Sequence, residues 1–115
     1  MLYIDVRVPH KVTHGDMIVI FARFINTDTL KLVQIPEVYL QIISTNDHEY
    51  WKSSLIRQNI SKLQIVLSTL EMKDTDYIIK VSDHKEMLSF GFNKVHVKYP
   101  KWVFRNKNRV KIQMY

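Results

Sequence analysis

Apolar and polar residues alternate with a period of two along most of the chain, in short runs separated by turn residues. "LYIDVRV" stops at Pro9, and "DMIVIFARFI" follows Gly15 with Ile18, Ile20, Ala22 and Phe24 on one face. "EVYLQII" begins after Pro36 and sets Val38, Leu40 and Ile42 on one side, and "EYWKSSL" follows the turn "TNDH". "SKLQIVL" turns Leu63, Ile65 and Leu67 inward, and "DYIIKVS" does the same with Tyr77, Ile79 and Val81. The last two runs, "MLSFGF" and "KVHVKY", carry Leu88, Phe90 and Phe92 on one parity and Val95, Val97 and Tyr99 on the other. That change of parity calls for a bulge at Gly91–Asn93. A strand places successive side chains on opposite faces, so this pattern predicts strands.

About seven to nine strands with turns between them predict an all-β fold, an antiparallel sandwich or barrel. Residues 53–72 leave a choice open. Ile56, Ile60, Leu63, Leu67 and Leu70 also fall at helical spacing, but Ile65 and Val66 spoil the helix face, and the strand reading is preferred.

One strand is apolar on both sides. Met17, Val19 and Phe21 alternate with the inward residues of the same run, where the outer face of a sandwich strand is ordinarily polar. Something covers that face, or it is exposed, and the three residues form a candidate protein interface.

Two stretches resemble immunoglobulin-like sandwiches. "VTHGDMIVIFARF" resembles the second strand of the macroglobulin and bacterial Ig-like kinds, where a turn ending Gly-Asp feeds a strand with core residues at the places of Ile18 and Ile20. "TDYIIKVS" resembles the sixth strand of those families and of fibronectin type III domains, with Tyr77 as the capping tyrosine ahead of Ile79 and Val81. His14 and Thr75 stand where those families often have proline and glycine, and without cysteine the chain is not an antibody-type domain. The resemblance spans residues 1–99 and implies a spacer, adhesion or docking module.

With 115 residues the chain is read as one domain, long enough to bury its own core, with a body of 1–99 and a C-terminal segment of 100–115. The absence of cysteine excludes a disulfide framework, a thiolate metal site and a thiol nucleophile. No stretch is long enough to span a bilayer and no signal peptide opens the chain, so the expectation is a cytosolic protein or a trimmed piece of a larger one.

Charge is uneven. Residues 1–93 hold ten Lys or Arg against eleven acids, whereas 94–115 hold seven Lys or Arg and no acid. Lys94, Lys98, Lys101, Arg105, Lys107, Arg109 and Lys111, interleaved with Trp102, form a candidate polyanion-binding set. In one reading this segment is an edge strand or hairpin with a basic solvent face, Trp102, Phe104, Val110, Ile112 and Met114 packing on the body over Val19 and Phe21. In the other it binds nucleic acid or an anionic surface.

Catalytic and metal signatures are weak. His10, His14 and Asp16 share strand parity, but they read better as turn residues than as ligands, and neither a metal nor a cofactor is expected. Asp74 and Asp76 set a turn rather than an acid–base pair, and Asn59-Ile60-Ser61 fits the glycosylation acceptor pattern. The sequence therefore points to a non-catalytic protein-binding or self-associating module, with nucleic-acid binding as the alternative.

Overall fold

The computed structural model describes residues 1–46 and 50–100, with Tyr50 and Trp51 as backbone. Nine strands are present among the described residues: β1 (Leu2–Arg7), β2 (Lys11–Thr13), β3 (Met17–Asn26), β4 (Lys31–Leu32), β5 (Val38–Ser44), β6 (Tyr50–Ile56), β7 (Lys62–Ser68), β8 (Thr75–Ser82) and β9 (Gly91–Lys98). They form two sheets packed face to face. In the first, β3 is flanked by β1 on one side, and on the other by β7 along Met17–Arg23 and by β4 at Ile25–Asn26. The second runs β2-β9-β8-β5-β6.

The sandwich is antiparallel except at one place, where β2 lies parallel to β9 and pairs Val12 with Val97. Segment 53–72 resolves to strands, since β6 and β7 take up most of it in different sheets.

The core follows the alternation. Ile18, Ile20, Ala22 and Phe24 of β3 meet Val38, Leu40 and Ile42 of β5, Tyr77, Ile79 and Val81 of β8, and Val95 and Val97 of β9. All are buried, as burial of alternate residues on facing sheets requires. Two devices at one end fix the loops. The Tyr77 hydroxyl accepts a 2.8 Å hydrogen bond from the Lys73 N–H, the tyrosine-corner arrangement anticipated for this strand. Gly15 turns with φ 101°, a conformation glycine adopts without cost, and its N–H donates to the buried Thr69 hydroxyl, which in turn donates to the Asp16 carbonyl.

The expected bulge at Gly91–Asn93 does not form. β9 stays in unbroken register with β8 from Gly91–Val81 to Val97–Thr75. Leu88 and Phe90 precede the strand, and Phe92 points out with Lys94 and His96, so none of the three aromatic or aliphatic side chains joins the core. The parity conflict vanishes because "MLSF" is a loop. An irregularity lies instead between Ile42 and Ile43, in the β5–β6 ladder.

Gly91 is needed for space. A Cβ there would overlap the Ile4 carbonyl of β1. Beside it, the Asn93 amide donates a 2.9 Å hydrogen bond to the Val6 carbonyl. These two residues of the second sheet close the β1 edge of the first.

Candidate interaction surfaces

The residues of β3 that alternate with the core positions form the outer face of the first sheet. Met17 and Phe21 are exposed at 58% and 47%, and Val19 between them is half-buried. The three predicted interface residues thus share one surface. The cross-strand partner of Val19 is Val66 of β7, 56% exposed, which widens the strip. The sequence signal for Val66 was available: once Leu63, Ile65 and Leu67 face inward, Val66 must face out.

A charged border frames the strip. Phe21 pairs with Arg7 and Gln64, and the next outer position holds Arg23 with Asp5 on one side and Lys62 on the other. Asp5 accepts from Arg23 at 2.8 Å (Nη2) and 3.2 Å (Nε), and from Arg7 at 3.1 Å. The Arg23 hydrogen bonds hold its carboxyl below the ordinary range against the opposing effect of burial, and Arg7 adds to the depression.

The outer face of the second sheet is basic. Lys94 and Lys98, both in the predicted polyanion set, line a cleft of about 300 Å³ with His10, Lys11, Asp76 and His96. Lys101, Trp102, Arg105, Lys107, Arg109 and Lys111 lie outside the described residues. Acids partly neutralise the cleft: His96 Nδ1 is 2.7 Å from Asp76, His96 Nε2 is 3.5 Å from Asp74, and Lys94 is 3.4 Å from Asp76. The His96 hydrogen bond, helped by Lys94, pulls the Asp76 carboxyl below its usual range. His96 thus has a carboxylate facing each of its ring nitrogens.

The other histidine–acid combination does not assemble. His14 Nε2 lies 3.0 Å from the Leu70 carbonyl, and its ring meets Tyr99 edge-on with centroids 4.9 Å apart, so it fastens two loops together. Among the described residues no three His, Asp or Glu converge on a metal-sized site. Asn59 of the acceptor triplet is exposed in the β6–β7 loop, next to Ile60, which bridges to Ile35.

No family model matches the chain, and none of the curated proteins is similar to it. Among solved structures it is similar to the CARDB domain of a Pyrococcus furiosus protein, crystallised in complex with di-metal ions. The TM-score is 0.50 at 11% identity, over 87% of this chain and 94% of that one. A β-glucosidase from Listeria innocua, in complex with gluconolactone, gives a TM-score of 0.49 at 12% identity, over 85% of this chain and 16% of the enzyme. The CARDB likeness establishes fold alone: the chain is an all-β, two-sheet sandwich of the immunoglobulin-like kind.

Proposed function

We propose that this domain is a non-catalytic docking module that associates with a second copy of itself through the outer face of the first sheet. One observation carries the reading: Met17, Phe21 and Val66 stand exposed side by side on two paired strands around Val19. Burying such a strip contributes roughly 25 cal/mol per Å² of apolar area. In a two-fold contact the same patch meets itself, and here the apolar centre is rimmed by charge: Arg23 with Asp5 on one side and Lys62 on the other, and Arg7 beside Phe21.

Sedimentation equilibrium tests this reading. The wild-type protein should associate reversibly, and Met17→Lys with Phe21→Lys should weaken association at least about tenfold, since charges in an apolar contact are desolvated without partners. Equal association of variant and wild type would overturn it.

A second reading rests on the cleft lined by Lys11, Lys94 and Lys98, from whose strand the C-terminal cations continue. Polyanion binding by all seven cations of 94–115 would fall with salt at a log–log slope of about −5 for a single-stranded nucleic acid. Titration of a single-stranded oligonucleotide at several salt concentrations measures that slope. Asp74 and Asp76 beside the cleft argue for the apolar face as the principal surface.

A further inference from the structure

β9 carries a stripe that the apolar face of the first sheet leaves unused. Phe92, Lys94, His96 and Lys98 alternate with the buried Val95 and Val97, so all four point away from the core. Across the sheet, Phe92 stands opposite Lys80 of β8, Lys94 opposite Ile78 and His96 opposite Asp76. On the other flank β2 sets Lys11 beside His96. Four lysines therefore follow one strand, Lys80 and Lys94 near its start and Lys11 and Lys98 near its end.

The two ends of the stripe are unlike. The His96 end holds the acids, Asp76 and Asp74. Asp76 is held by His96 at 2.7 Å and Lys94 at 3.4 Å, and Asp74 accepts from the Tyr99 N–H at 3.0 Å, so both carboxylates are partly compensated. The other end holds aromatic surface. Phe92 is 63% exposed, and Phe90 meets it with centroids 6.0 Å apart and the rings inclined at 60°. The Lys80 ammonium lies 4.5 Å from the centre of the Phe90 ring, which fixes a cation beside the pair and leaves Phe92 uncovered.

We propose that this stripe binds single-stranded nucleic acid, with a base stacked on Phe92 and the phosphates running past Lys94 towards Lys11 and Lys98. The inference rests on the second reading above, that the basic face takes a polyanion, and adds the place where a base sits. Two features favour this ligand over other polyanions. The cations follow one strand rather than spread over a face, which suits a linear chain of phosphates better than a layer of headgroups. The exposed phenyl ring offers a stacking surface that every base can use, and it gives nothing to a polyanion without aromatic rings. A duplex would present the stripe with phosphates alone, because its bases are stacked on one another out of reach of a flat strand face.

Fluorescence titration of the full chain with two labelled strands of equal length, an oligothymidylate and its abasic counterpart, separates stacking from charge. Both strands carry the same phosphates, so charge alone binds them equally. The wild type should prefer the base-bearing strand at least about fivefold, the lower end of what one base stacked on an aromatic side chain contributes. Phe92→Ala should remove most of that preference and leave binding of the abasic strand unchanged. The wild-type comparison needs no variant: equal affinity for the two strands would overturn the inference and leave the polyanion reading standing. A preference that survives Phe92→Ala would also overturn it, by placing the base on another ring. Binding of neither strand would overturn both.

Discussion

β3 lends the same kind of ladder to both of its flanks, yet the two flanks end differently. On the β1 side six residue pairs are followed by a seal from the other sheet: Gly91 lets the Ile4 carbonyl come close, and Asn93 satisfies the Val6 carbonyl. On the β7 side seven pairs are followed, among the described residues, by nothing bonded to the strand. The difference shows that an edge here is closed by a glycine and an amide rather than by another strand. Met17, Phe21 and Val66 stand exposed on the β3–β7 half.

The seal can be broken. Gly91→Ala should cost about 3 kcal/mol of stability, because the new Cβ meets backbone that cannot rotate away. Urea unfolding measures it, and a loss below about 0.5 kcal/mol would mean that β1 moves freely and the seal is not structural. Asn93→Ala should cost about 1 kcal/mol by leaving the Val6 carbonyl without its donor. Together the two should be non-additive, since both act on one approach of β1 to β9.

A smaller effect should come from the tie between β1 and β3. The folded Asp5 carboxyl is depressed by Arg23, so its contribution is present above the unfolded value near 3.9 and is lost as pH falls through the folded one. Urea midpoints should therefore decline from pH 5 towards pH 2, and Asp5→Asn should flatten part of that decline. The remainder belongs in part to Asp76, depressed in the same direction by His96. An unchanged pH profile in Asp5→Asn would show that the ion pair contributes nothing. Smallest of all, Phe21→Lys should leave unfolding within about 0.5 kcal/mol of wild type, as an exposed position on a sheet face does.

Alternation made the strands legible, because it reports which residues share a face. Ile18, Ile20, Leu40, Ile79 and Val97 are buried as their parity required, and Tyr77 caps the sandwich as its place ahead of Ile79 suggested. That Met17, Val19 and Phe21 share one outer face was visible for the same reason. Relations between sheets were not legible. Nothing local ties Asn93 to Val6, 87 residues away, or shows that Gly91 is required by the Ile4 carbonyl. The parallel β2–β9 pair joins distant segments, and the carboxylates around His96 come from the neighbouring strand and its preceding turn. Leu88, Phe90 and Phe92 mislead because apolar character need not mean burial: Phe90 and Phe92 meet edge to face on the surface with Lys80 over the Phe90 ring. Exposed aromatic residues are common enough that composition alone does not decide their side.

Covalent footprinting across a range of protein concentrations tests the central claim most directly, because the second sheet supplies its own control in Phe92, 63% exposed. Labelling of Met17 and Phe21 should fall as copies associate while labelling of Phe92 stays constant. A fall at Phe92 with Met17 and Phe21 unchanged, or no change at any of the three, would contradict docking through the outer face of the first sheet.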